Sequence, residues 1–277
     1  MKLYRVAVCF SGQPRLWNWC LENIKQYFED ISGEHPHKGK IEVDYFMHCW
    51  DTNTWRFPHK PRNFCPQDTK HRDYAEIVNA YNMKSAVLEE YSDDKFILAW
   101  DPLFYSFSKS VALKRQYELD NDFEYDLVIK ARLDTVYNPE SKFPYINEYV
   151  NQRTVYAPHN IMQFPNEFNY WNFDDVIFYG HSNTMDIVAD IYKSNKTLYT
   201  REYVAEHTAR SDRAAGFNFY GPGCMLYEHI INSGLRADYP RHQPIQYKVS
   251  RATMKHLDAL TDWPAVVDLA TDWYKMK

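Results

Sequence analysis

Along the first half of the chain, apolar runs change period in a regular way. Residues 3–10, LYRVAVCF, are almost continuously apolar and close on Ser11-Gly12-Gln13-Pro14-Arg15. The next stretch, LWNWCLENIKQYF, places Leu16, Trp17, Trp19, Cys20, Ile24, Tyr27 and Phe28 at helical spacing. A buried strand, a glycine-containing turn and a helix follow from that change of period. The unit then recurs. Residues 41–49, IEVDYFMHC, predict a second strand, 73–80 a short helix, 84–91 an extended piece and 103–119 a helix opened by Asp101-Pro102. Residues 125–132 predict the next strand, and 120–122 read as the polar link before it. The stretch 52–72, rich in Pro, Asn, Asp and basic residues, reads as a long loop, a kind that often carries function. Alternating strands and helices predict an α/β fold with a mostly parallel central sheet and helices on both faces.

Beyond Asp134 the pattern changes. Pro139, Pro144, Pro158 and Pro165 interrupt it, leaving short strands at 153–157 and 175–179 around an aromatic loop at 159–172. Helices are predicted over 182–193 and 222–233, a last strand near 244–249 and a helix near 256–273. No repeat, low-complexity tract or linker divides the chain. The expectation is a single domain over 1–277, with a first half at 1–138, a second at 139–240 and a C-terminal extension at 241–277.

Composition narrows the function classes. The formal net charge is −5 and acidic residues interleave with the basic ones, so the basic stripe of a general nucleic-acid binder is missing. Five cysteines are scattered without C-x-x-C spacing, and no signal peptide precedes them, which predicts reduced thiols and a cytoplasmic protein. No apolar run approaches the roughly 18 residues of a membrane-spanning helix. Tyr and Trp dominate an aromatic content of 17%, which suits stacking on sugars or bases as well as it suits an aromatic core. The histidines show no zinc spacing, and neither a dinucleotide fingerprint nor a P-loop occurs.

Chemistry gathers at predicted strand ends. The first strand closes on Ser11, Gly12 and Gln13, with Arg15 just beyond. The second closes on His48 and Asp51, and the strand YDLVIKARLD closes on Arg132 and Asp134. In open parallel sheets ligands bind beyond the carboxyl ends of the strands. A glycine there admits the backbone close to a ligand, and the following helix N-terminus favours anions. An arginine there neutralises phosphate, and an aspartate holds a divalent ion or a ribose hydroxyl. Equally, Arg132 and Asp134 can form an ordinary ion pair that closes a strand. A second candidate is NFDDVIFYG, where Asp174 and Asp175 precede an apolar strand, either as a general base or as a turn cap. The aromatics ahead of it, including Tyr170 and Trp171, suit a sugar ring or a core.

In order and spacing, VAVCFSGQPR, VDYFMHCWD, FYSFSKSVALKRQYE, YDLVIKARLD, FDDVIFYG and YGPGCMLYEHI resemble GT-A-type glycosyltransferases, specifically the lipopolysaccharide-synthesis-like and phage-encoded group. The resemblance spans residues 6 to about 234. It implies a GT-A-like, Rossmann-like fold and transfer of a sugar from a nucleotide-diphosphate donor to a hydroxyl acceptor. Ser11, Gly12, Gln13, Arg15, His48, Asp51, Ser108, Lys109, Arg132 and Asp134 would then line the donor. Asp175, ahead of Asp174, would activate the acceptor, with Tyr170 and Trp171 beside it. The group's usual metal motif is D-x-D, whereas this chain has Arg132-Leu133-Asp134. Two options stay open: Mn²⁺ or Mg²⁺ on Asp134 and the donor diphosphate, or Arg132 supplying part of that charge. Two other functions also stay open, a phage-type transferase acting on modified DNA bases and a nucleotide-sugar or glycan binder without catalysis.

Overall fold

The computed structural model describes residues 3–14, 17–29, 40–51, 74–92, 95–96, 98, 100–138, 152–157, 162–163, 171–195, 197–200, 202–207, 221–238 and 247–249. The chain begins with β1 (Leu3–Gly12), α1 (Trp17–Glu29), β2 (Lys40–Trp50), α2 (Tyr74–Tyr81), β3 (Ser85–Glu89), α3 (Asp101–Asn121) and β4 (Leu127–Ala131). Each strand and helix predicted in this half appears within a few residues of its expected place. The exception is the link at 120–122. Helix α3 runs on to Asn121, and Asp122 caps it in the left-handed region at φ 52°, so the polar residues lie in the last turn and its cap. The predicted loop at 52–72 lies outside the described residues.

The second half is more finely divided than its sequence suggests. Strands β5 (Thr135–Tyr137), β6 (Thr154–Tyr156), β7 (Met162–Gln163), β8 (Trp171–Asn172) and β9 (Phe178–Gly180) precede α4 (Ser182–Ala189) and α5 (Ile191–Asn195). The single helix expected over 182–193 is thus two, separated at Asp190. A helical turn, α6, covers 202–207. It is followed by α7 (Pro222–Asn232), β10 (Arg236–Asp238) and β11 (Tyr247–Val249). Strands β5, β7, β8 and β10 were not foreseen: two or three residues are too few to show a period, and β7 and β8 fall within 159–172, expected as a loop. The helix expected near 256–273 lies outside the described residues.

Seven strands form one sheet in the order β10-β6-β9-β4-β1-β2-β3. β4, β1, β2 and β3 run parallel, and only β9 is antiparallel to its neighbours. The expected mostly parallel α/β sheet is therefore present. Alternation along β1 sends Val6, Val8 and Phe10 into one core with Trp17, Cys20, Ile24, Tyr27 and Phe28 of α1 and Ile77 and Tyr81 of α2. Ala7 and Cys9 face the other core, with Phe104, Phe107 and Val111 of α3 and residues of α4 and α7. Buried on both faces, β1 and β4 read as continuous apolar runs. An ionic cluster around the fully buried Lys114 joins α3 to α4: its Nζ bonds Glu118 Oε2 at 2.9 Å, the partly buried Asp186 Oδ1 at 2.8 Å and the Ser182 hydroxyl.

Candidate functional site

The order β3-β2-β1-β4 reverses direction beside β1. The chain winds outward through β1, β2 and β3, then returns to place β4 on the other side of β1. The helix that makes this return, α3, covers the opposite face from α1 and α2. The chain leaving β4 runs into β5, whose Val136 and Tyr137 pack with Tyr27 and Phe28 of α1 on the face taken by the chain leaving β1. The carboxyl ends of β1 and β4 lie side by side at this switch point, the place where open α/β sheets hold their ligand crevice. Antiparallel β9 delivers its preceding residues, 174–177, to the same edge, beside the end of β4.

On the β1 side, Gly12 holds φ at +113°, a conformation open to glycine and strained for other residues. An added Cβ would meet nothing within 4 Å, so conformation and not crowding requires the glycine. The Gly12 N–H donates to the Ser106 hydroxyl oxygen at 2.8 Å. Ser11 is 3% exposed, and its buried hydroxyl has no hydrogen-bond partner among the described residues. Thr135 Oγ1 just beyond β4 and the Tyr45 and Tyr81 hydroxyls are in the same state among the described residues, so what distinguishes Ser11 is its place at the carboxyl end of β1.

His48 lies opposite Ser11 in the β1–β2 ladder and is 1% exposed. Its Nδ1 stands 3.0 Å from Ser106 Oγ and its Nε2 3.1 Å from Glu89 Oε2. Burial lowers its pKa, against the bond and charge of Glu89, and Lys109 lowers it further. Burial alone would raise Glu89, yet bonds from His48, Lys95 and Tyr105 outweigh it and hold the carboxyl below its ordinary range. Trp50, Tyr91, Phe96 and Tyr105 pack around this group, with Trp50 stacked on Tyr105 at 5.4 Å. His48 is thus an internal tie and not an exposed ligand contact. Asp51 is also engaged, accepting from the Tyr91 N–H at 3.0 Å.

On the β4 side, Arg132 grips Asp134 through two bonds, Nε to Oδ1 at 2.8 Å and Nη2 to Oδ2 at 2.7 Å. The Asp134 side chain is fully buried, and that of Arg132 is 14% exposed. The pair forms although the strand has already ended at Ala131 and the chain turns at 133–134. Both oxygens of the only carboxylate in Arg132-Leu133-Asp134 are engaged by a guanidinium, so this donor set does not fit a hard divalent cation, which takes several oxygen ligands. Among the described residues no group of three or more His, Cys, Asp or Glu side chains is placed to hold a metal ion.

Asp174 and Asp175 differ. Asp174 Oδ1 accepts the N–H groups of Val176 at 2.8 Å and Ile177 at 3.2 Å, which makes it the cap of the turn into β9. The half-buried Asp175 carboxylate makes no hydrogen bond to a described residue. Its backbone carbonyl, with that of Val176 at 3.0 Å, holds the ammonium of Lys130. Lys130 is 1% exposed, and burial pulls its pKa down to about 8, with Asp175 pulling the other way.

The remaining predictions separate. Gln13 lies at the described end of the β1 turn. Ser108 turns away from the crevice and donates to the Ala189 carbonyl at the end of α4. Lys109 is exposed, its ammonium 5.2 Å from the centre of the Tyr105 ring. Trp171 contributes backbone to the β7–β8 pair. Arg15 and Tyr170 lie outside the described residues. Sequence reasoning missed Ser106, Glu89 and Lys130 as parts of the site. A signal for Ser106 does exist: Ser106, Ser110 and Lys114 recur every fourth residue on the buried stripe of α3, among Phe104, Phe107 and Val111.

No family model and no curated protein matches the chain. Among solved structures, one that is similar is a glycosyltransferase involved in glycosylation of the major capsid of PBCV-1. It is 8% identical, covers 87% of this chain and 82% of its own, and has a TM-score of 0.35. Another is a nucleoside-diphosphate-sugar pyrophosphorylase from Vibrio cholerae RC9, 12% identical, covering 93% of this chain and 100% of its own, with a TM-score of 0.39. Likeness at this level carries no argument about function.

Proposed function

We propose that the protein is a glycosyltransferase that moves a sugar from a nucleotide-diphosphate donor to a hydroxyl acceptor. The observation that carries this reading is the buried Ser11 hydroxyl, without a partner among the described residues, beside Gly12 at positive φ and at the point where the strand order reverses. A ligand with hydrogen-bonding groups in the crevice would satisfy that hydroxyl. On the adjacent strand end, the Arg132 guanidinium, its charge partly offset by the paired Asp134, would face the negative charge that gathers on a departing diphosphate. Asp175 supplies a carboxylate to take the proton of an acceptor hydroxyl, as suits an inverting displacement. Holding donor and acceptor between these groups supplies the rest of the rate. The resemblance in the sequence motifs points the same way.

The test is a thermal-shift panel of UDP, GDP, CMP, dTDP and their common sugars, each with and without Mn²⁺. A ligand at about 100 times its Kd adds about 2.7 kcal/mol, which shifts the midpoint by several degrees. One nucleotide should stabilise the wild type without Mn²⁺ and fail to stabilise Arg132→Gln. A shift that requires Mn²⁺ would place an ion at Asp134 despite its pairing, and silence across the panel would overturn the reading. One observation favours a second function, a nucleotide-sugar binder without catalysis: the sole carboxylate of the expected metal motif is occupied by Arg132. Donor hydrolysis or transfer by the wild type would rule that out.

A further inference from the structure

His48 makes more bonds than a neutral imidazole can supply. Ionised Glu89 can only accept, so the 3.1 Å contact at Nε2 requires an N–H there. The Ser106 hydroxyl has one proton, and it goes to the His48 backbone carbonyl at 2.7 Å. Its oxygen then accepts from Gly12 N–H at 2.8 Å and has one place left, which the Nδ1 contact at 3.0 Å fills only if Nδ1 also carries a proton. All four contacts are satisfied together by the imidazolium. A neutral ring protonated at Nε2 needs the Ser106 proton at Nδ1, and the His48 carbonyl then loses its donor. The Ser106 proton and lone pairs rotate about Cβ–Oγ, so the Gly12 N–H that bonds to this oxygen meets a changed acceptor.

The groups facing the ring oppose one another. Glu89 at the end of β3 favours the charged form. Lys109 on α3, and burial itself, disfavour it. Lys95 and the Tyr105 hydroxyl share the Glu89 carboxylate at 3.1 and 2.9 Å and draw off part of its charge. Asp51 fixes the backbone on the far side of that carboxylate, its N–H bonded to the Glu89 carbonyl at 2.9 Å. The Ser106 oxygen thereby links the ring to the left-handed glycine at the crevice. β1, β2, β3 and α3 meet there.

We propose that His48 is a positioning residue whose protonation, relayed through the Ser106 hydroxyl, sets the backbone pose of Ser11-Gly12 at the mouth of the crevice. Its consequence for nucleotide uptake rests on the function proposed above. The proposal itself concerns the ligand-free chain.

The experiment uses the full chain labelled with ¹⁵N-histidine and ¹⁵N-glycine. Its 11 histidines and 8 glycines keep the spectra sparse. His48→Gln assigns the ring signals, and Gly12→Ala assigns the Gly12 amide. Between about pH 5 and 8 the His48 ring should pass from doubly to singly protonated, with the Gly12 amide moving at the same midpoint. Glu89→Gln should lower that midpoint by about one pH unit or more. In Ser106→Ala the ring should still titrate while Gly12 no longer follows, an outcome that a purely structural serine would not produce. A ring fixed in one neutral form, or a wild-type Gly12 amide that ignores the titration, overturns the proposal. If His48→Gln fails to fold, the Glu89→Gln titration assigns the ring by its displaced midpoint. Calorimetry with whichever nucleotide passes the panel, at about pH 6 and 8, should show proton exchange on binding. A panel with no binder sinks the proposed function and leaves the ligand-free spectra to decide His48.

Discussion

Asp174 and Asp175 are adjacent, chemically identical and placed in different work by the turn between them. Asp174 caps two backbone N–H groups ahead of β9, whereas the Asp175 carboxylate has no described partner at the crevice edge. Asp174→Ala should therefore cost about 1–3 kcal/mol in urea denaturation, because it strands those N–H groups. Asp175→Asn should cost less stability than Asp174→Ala, through the charge it removes from beside buried Lys130, and lower the transfer rate by about 10²- to 10⁴-fold. The reverse pattern would give the acceptor role to Asp174. The sequence shows both acids and cannot divide them, since which oxygen meets which N–H depends on the backbone of the turn. The same holds for Arg132 and Asp134. Their spacing allowed a ligand pair or an ion pair, and the structure closes them on each other in two bonds.

Lys130 ties two elements together. It projects from β4, and its ammonium is held by the carbonyls that lead into β9. In the unfolded chain the amine keeps its ordinary 10.5, whereas burial brings it to about 8 in the folded protein. Between those values the unfolded state binds more protons, so the Lys130 contribution makes stability rise with pH. At about 1.4 kcal/mol per unit the full change is on the order of 3 kcal/mol. Chemical denaturation of wild type and Lys130→Met from about pH 7.5 to 10.5 should show the wild type gaining relative to the variant. Parallel curves would place the amine in a more polar setting than its carbonyl partners provide. Strand β4 was legible as a continuous apolar run, but the lysine within it had no reading from sequence alone. Its partners lie 45 and 46 residues away, in the turn ahead of an antiparallel strand whose place in the sheet no local pattern announces.

At the scale of the whole molecule, the net charge of −5 and the absence of a basic stripe from the sequence bear on the DNA-modifying alternative. Phosphate contacts dominate duplex affinity and weaken steeply with salt. A gel-shift series on duplex DNA should show no complex at about 150 mM salt, and a complex that persists there would favour that alternative over a glycan acceptor. Among the described residues no helix is long and apolar enough to cross a membrane. What the sequence determined by itself was the alternation of strands and helices from residue 3 to 132 and the mostly parallel sheet that follows from it. Apolar period is a local property, and runs of 8 to 20 residues display it. It also marked the strand ends, because charge after a buried run has few places to go. The tertiary structure decided the rest: the reversal of strand order between β1 and β4, the antiparallel insertion of β9, and the partner of each polar side chain. Those depend on contacts between residues dozens of positions apart, as when Ser106 on α3 meets Gly12 at the end of β1 and His48 on β2. No window of sequence contains all three.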